Sequence, residues 1–273
     1  MNDTILFVFE GEIIEGQIFG SIEKNFFAPS DSKATVVRAS FCGELFQLWN
    51  VVKDDADLDI VEILKERPNA DINDLDRNEV SEVHLFMDHD AHSHSELSQQ
   101  EYHKIICDLL ATFNNEFERG KLWINYPMAE AIRHCKKNPD DCFFDTKIGI
   151  SHNTNYKRLV GKESDFIDIK KFDESIWHYL TAVNIQRIFC LVNDAYRAVS
   201  DYSEIKKWFD ENAIIVKMIQ EKQYEKFINP QNEVVVLSPF PLFLLYYFGK
   251  SFFDSGKCGE FTKNCSFCCY CSG

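Results

Sequence analysis

Short apolar runs separated by polar breaks recur along the first half of the chain. Ile5-Leu6-Phe7-Val8-Phe9 is continuous, as in a strand buried on both faces. From about Glu15 to Phe27, Ile18, Phe19, Ile22 and Phe26 fall at helical spacing. Pro29-Ser30-Asp31-Ser32 reads as a turn and Thr35-Val36-Val37 as a β-branched second strand. Leu45, Leu48 and Trp49 form the stripe of a helix over Gly43–Val52, and a further helix over 60–66 stops before Pro68. Asp71–Glu79 is a polar loop, 82–87 a third strand, and His89–Gln100 a polar loop. The pattern then predicts a helix from Gln100 to Phe117 capped by Gly120, a fourth strand over Lys121–Ile124, and a helix opening over Met128–Cys135. This alternation predicts an α/β fold with a mostly parallel sheet flanked by helices.

Beyond residue 136 helical patterns dominate, at 173–199, 203–209, 210–228 and 239–249. Pro139-Asp140-Asp141 marks the expected boundary between an α/β domain (1–138) and a mainly helical part (139–273). The strip from Pro239 to Phe248 is too short to span a bilayer. It follows a β-like segment, Glu233–Leu237, and is expected to be core, where the C-terminal part packs on the sheet or on a partner.

Charge narrows the functional classes. Across 273 residues the formal net charge is −15, which argues against a protein that coats nucleic acid through its bulk field. It leaves room for a nuclease helped by local cations, a bound Mg²⁺ or a basic partner. Local basic spots exist at Arg133-x-x-Lys136-Lys137 and at Lys157-Arg158 with Lys162. The opening Met1-Asn2-Asp3-Thr4 lacks the basic region of a signal peptide, so the expected compartment is cytoplasmic. Of ten cysteines, Cys42, Cys107, Cys135, Cys142 and Cys190 are scattered and read as buried free thiols. Cys258, Cys265, Cys268, Cys269 and Cys271 crowd a tail (about 255–273) in which Cys-x-x-Cys resembles half a zinc knuckle. Their spacing favours an oxidation-prone tail over a four-ligand structural Zn²⁺ site.

The chemistry-bearing residues stand at strand ends. The first run leads into Glu10-Gly11-Glu12, and Val83–Met87 leads into Asp88-His89-Asp90. Open α/β sheets build their sites at the carboxyl ends of strands. Alternate residues of an extended segment point the same way, so Asp88 and Asp90 can share one site. Three acids in one crevice repel unless a divalent cation joins them, a recipe for metal-dependent phosphoryl chemistry. His89, His92 and His94 crowd the following loop; His-x-x-His-x-His could bind zinc or a transition metal, solvent exposure is the ordinary reading, and His89 or His92 could assist proton transfer.

Strand–Glu–Gly followed by strand–Asp–x–Asp resembles the Toprim fold of topoisomerases, primases and OLD-type nucleases. Phe9-Glu10-Gly11-Glu12-Ile13-Ile14-Glu15 is similar to the Cys-Glu-Gly-Glu-Lys-Thr-Glu opening of RloB-like defence proteins. Tyr126-Pro127-Met128-Ala129-Glu130 stands where that group carries Asn-Pro-x-x-Glu, and the Toprim subunit of the PARIS anti-phage system has a comparable Asn-Ile-Glu. The resemblance covers roughly residues 4–135 and implies a Toprim-like nuclease acting as an anti-phage effector. It implies Glu10 as general acid/base or metal-associated glutamate and Asp88 and Asp90 as ligands of Mg²⁺ or Mn²⁺. Glu130 would complete the site, Glu15 matches a further family glutamate, and Arg133 lies within one predicted turn of Glu130. Implied partners are DNA or tRNA and an ABC- or AAA-type ATPase subunit, with homo-oligomer formation a further option. Ile13-Ile14 in place of Lys-Thr removes a cation beside the site and leaves the substrate open. Two other readings compete. One is an aspartate-nucleophile phosphohydrolase, with Asp88 as nucleophile and Asp90 as acid. The other is a non-catalytic regulatory or scaffold subunit that caps an ATPase.

Overall fold

The computed structural model describes residues 4–27, 35–55, 58–67, 72–89, 97–137, 146–150, 153–194, 199, 201–209 and 214–255. Asp90, His92, His94, Cys142, the Pro139–Asp141 boundary and the five tail cysteines lie outside these residues.

Five strands form one sheet: β1 (Thr4–Phe9), β2 (Thr35–Ser40), β3 (Val80–Asp88), β4 (Asn114–Asn115) and β5 (Gly120–Asn125). Their order is β2-β1-β3-β5-β4, and every pairing except the short β4–β5 hairpin is parallel. The helices α1 (Ile13–Phe26), α2 (Leu45–Val52), α3 (Ile60–Lys65) and α4 (Gln99–Thr112) connect them. The protein is thus α/β, with a mostly parallel sheet flanked by helices and a helical C-terminal part. Strand order reverses at β1: β2 lies to one side and β3 to the other. A crevice outside the strand ends forms at such a switch point.

One sheet face is aromatic. Alternation brings Phe7, Phe9, His84, Phe86 and Trp123 to the same side. From α1, Phe19 packs on Phe7 at 4.1 Å between ring centroids. The opposite face carries Leu6, Val8, Val83, Leu85, Leu122 and Ile124, all buried.

Among the described residues the C-terminal part comprises an antiparallel pair, β6 (Lys147–Gly149) and β7 (Glu233–Val235), with the helices α5 (Asn153–Glu163), α6 (Glu174–Asn193), α7 (Tyr202–Lys206), α8 (Ile214–Gln223), the short α9 (Asn229–Gln231) and α10 (Pro239–Ser255). The apolar strip expected to be core is the first part of α10. Its Phe240 stacks on Phe86 at 4.6 Å, and Phe243 meets Phe7, Phe86 and Trp123 edge-on. One continuous hydrophobic cluster runs from Ile5 to Phe253. Among the described residues no helix is long and apolar enough to cross a membrane.

Four local readings are corrected. α4 ends at Thr112 rather than Phe117, because Asn114 and Asn115 turn into the hairpin. Gly120 opens β5 at φ 115° instead of capping a helix, and a Cβ there would meet Leu85 Cδ1 at 2.6 Å. Past the cis Tyr126-Pro127 bond, the expected helix is a single 3₁₀ turn, Ala129–Arg133. Of the described cysteines only Cys135 is fully buried; Cys42 is exposed, and Cys107 and Cys190 are half-buried.

Candidate functional site

β1 and β3 run side by side in register, Phe9 beside Phe86, so their carboxyl ends emerge together. Glu10 follows β1 directly, and its N–H donates to Phe86 O at 3.1 Å. The Glu10 carboxylate reaches across and accepts the Asp88 N–H at 2.8 Å. Asp88 ends β3 opposite Asn125, the last residue of β5. Asn125 Nδ2 donates to Asp88 Oδ1 at 3.0 Å, and the Ala129 N–H donates to the same carboxylate.

Two more acids close on this pair. Glu15, in the first turn of α1, folds its carboxylate back onto its own N–H and that of Gly11, at a helix end where anions are favoured. A Cβ at Gly11 would stand 3.3 Å from both Glu15 oxygens, so glycine keeps this approach open. The 3₁₀ turn supplies Glu130, buried and ion-paired with Lys157 of α5 at 3.3 Å. Lys157 is 65% exposed and so stands at the mouth of the crevice.

The electrostatics follow from crowding. Burial, then the charges of Glu10, Glu15 and Glu130, raise the Asp88 carboxyl well above the ordinary carboxylate range. Glu15 is raised by burial and by Glu130, against the two backbone donors and Lys157. Two oxygens in the crevice, Glu130 Oε2 and Asn125 Oδ1, are buried and find no hydrogen-bond donor among the described residues.

The structure brings Glu10, Asp88, Glu15 and Glu130 to one place; Asp90 lies outside the described residues. His89 does not stand in a solvated loop. It is buried, with its ring among Tyr102 and Tyr126 and both ring nitrogens unpartnered among the described residues. Burial lowers its pKa to about 4, so it is neutral at physiological pH. Alternation along β3 sends it to the sheet face opposite Asp88, away from the carboxylates. Arg133 turns to Ile167 O at 3.3 Å rather than to Glu130.

Sequence reasoning missed Asn125 as a site residue. Its signal was the one used for Glu10 and Asp88, a polar residue at the end of an apolar run. Lys157 was read as a surface cation; its pairing with Glu130 joins segments far apart in the chain.

No family model, curated protein or solved structure matches this chain.

Among the described residues no three His, Cys, Asp or Glu side chains form a ready-made metal cluster. Each carboxylate is turned toward a donor of the protein. The chemistry of the set nevertheless suits a hard divalent cation: four carboxylates, two orphaned buried oxygens and no sulfur or imidazole.

Proposed function

We propose that this protein is a metal-dependent, Toprim-like nuclease that hydrolyses phosphodiester bonds in DNA or RNA, tRNA included. One observation carries the reading: at the switch point of a parallel sheet, Glu10, Asp88, Glu15 and Glu130 converge, and burial, then the charges of the other three, raise the Asp88 carboxyl pKa. Such crowding is costly in a free protein and useful where positive charge must be held. Glu10, Asp88 and Glu130 would hold Mg²⁺ or Mn²⁺, with Asp90 as the further ligand the resemblance implies. When bound, such a cation lowers the pKa of water and neutralises charge developing on the phosphate.

The chain's own contribution is orientation and proton handling. The Asp88 N–H fixes the Glu10 carboxylate at the crevice floor. Asn125 and the Ala129 N–H fix the Asp88 carboxylate. Glu10 is placed to take a proton from the attacking water or to return it to the leaving oxygen. Lys157 balances Glu130 and attracts the anionic substrate to the entrance. The sequence resemblance and the strongly acidic surface support a further step, that the protein is the effector of an anti-phage system working with an ATPase partner.

The test is a cleavage assay with purified protein, Mg²⁺ or Mn²⁺, plasmid DNA and total tRNA. Glu10→Ala and Asp88→Ala run beside the wild type, with and without a co-encoded ATPase. Cutting by the wild type that falls at least about 100-fold in both variants is expected. Cutting that persists in both variants refutes the assignment of the site.

A further inference from the structure

A concavity of about 280 Å³ lies between α5 and β6. Its rim is cationic and its floor apolar. Arg158 and Lys162 project from one face of α5, four residues apart, and Lys147 faces them from β6. Ile148, Gly149 and Leu159 line the floor. Arg158 and Lys162 are exposed, whereas Lys147 is partly balanced by Glu233 at 3.5 Å. In a chain of net charge −15 this collection of cations stands out against its surroundings.

The groove adjoins the carboxylate crevice. Tyr156 and Ile148 line the groove and pack in one buried cluster with Met128 and Ala131, the residues on either side of Ala129-Glu130. Lys157, next to Tyr156, pairs with Glu130 at 3.3 Å. One helix thus presents Lys157 to the acids and Arg158 and Lys162 to the groove.

Rim and floor ask for different parts of one ligand. Cations take phosphates. An apolar concavity is of use only to a base that has left its stack, since duplex bases are sheltered by their partners. At about 280 Å³ the space lies at the small end of ligand pockets, near 300–1,000 Å³, and suits a single nucleotide unit. We propose that the α5–β6 groove holds an unpaired nucleotide of the substrate strand beside the carboxylate crevice, so that the protein selects single-stranded or looped nucleic acid over duplex. The proposal rests on the nuclease reading of the crevice and adds its substrate class.

Binding tests it separately from cleavage. Fluorescence anisotropy in EDTA would follow a labelled 15-nucleotide single strand and the same sequence as a duplex. The wild type should bind the single strand at least about tenfold more tightly than the duplex, with an affinity that falls as salt rises. Arg158→Ala/Lys162→Ala should lose about tenfold in single-strand affinity and flatten the slope of log K against log salt by about 1.4. Leu159→Asp, which charges the apolar floor, should weaken the single strand by a larger factor than the duplex, because both lose phosphate attraction and only the single strand loses the site for its base. Circular dichroism confirms that each variant is folded. Equal wild-type affinity for the two forms, no binding at all, or wild-type behaviour of the double variant overturns the proposal. Asp88→Ala separates the two ideas. If single-strand binding follows the groove variants while the wild type cuts nothing, the nuclease reading fails and the groove stands. If cutting needs Asp88 but ignores Arg158, Lys162 and Leu159, the groove fails and the nuclease reading stands.

Discussion

Replacing Asp88 by Asn should stabilise the metal-free protein. Asn keeps the shape of Asp and an oxygen for the Asn125 Nδ2 and Ala129 N–H donors, while removing a charge from beside Glu10, Glu15 and Glu130. The folded carboxyl holds its proton to higher pH than it would in the unfolded chain. Between the two pKa values the native state binds more protons, so stability falls as pH rises; above the folded pKa the penalty is constant. Each unit of the shift is worth about 1.4 kcal/mol. Allowing for relaxation, a gain of about 1–3 kcal/mol is expected, the usual cost of an imperfectly compensated buried polar group. For a chain of this size that is about 2–6 °C in Tm. The assay is thermal unfolding of both proteins in EDTA from pH 5 to 9, repeated with Mg²⁺ and Mn²⁺. The gap should open with pH in EDTA and narrow when metal is added, because only the wild type gains from the cation. Saturation at 100 times Kd would add about 2.7 kcal/mol to the wild type. An Asp88→Asn protein that melts below the wild type throughout, or a gap indifferent to pH, would refute the idea of a charge-strained cation site.

Other expectations are more local. Gly120→Ala must accommodate a Cβ 2.6 Å from Leu85 Cδ1 at φ 115°, and should cost at least about 1–3 kcal/mol in urea unfolding. Phe243→Ala opens a cavity between α10 and the aromatic sheet face, with a loss of about 3–5 kcal/mol by the same measurement. In timed alkylation with peptide mapping, exposed Cys42 should react well before Cys135, whose thiol is buried with its pKa raised to about 11.

Much of the sheet was legible because β1, β3 and β5 are buried on both faces, which leaves apolar runs that need no partner to be recognised. The acids were legible for a related reason. Glu10 and Asp88 interrupt such runs abruptly, and parallel register then sets them side by side. What escaped was decided by distant contacts. His89 sits in a polar stretch, and its burial comes from Tyr102 on α4 and from Tyr126 after β5. The end of α4 was overrun because Phe113 continues the apolar period, while the Asn114–Asn115 hairpin depends on pairing with Gly120 and Lys121. The apolar strip before Phe248 announced burial, but only the fold shows which sheet face it covers.

That covering has a consequence for timing. Phe7 and Phe86, which lie on the strands that lead into Glu10 and Asp88, rest on Phe240 and Phe243, residues made long after them. A growing chain lays down Glu10, Asp88 and Glu130 early, then waits on the order of ten seconds or more of synthesis for the helix that closes the aromatic face. Until α10 arrives, α1 covers part of that face through Phe19, and Phe86 lacks the ring of Phe240 that stacks on it. The aromatic face is therefore completed late, after the strands that lead into Glu10 and Asp88 have been made.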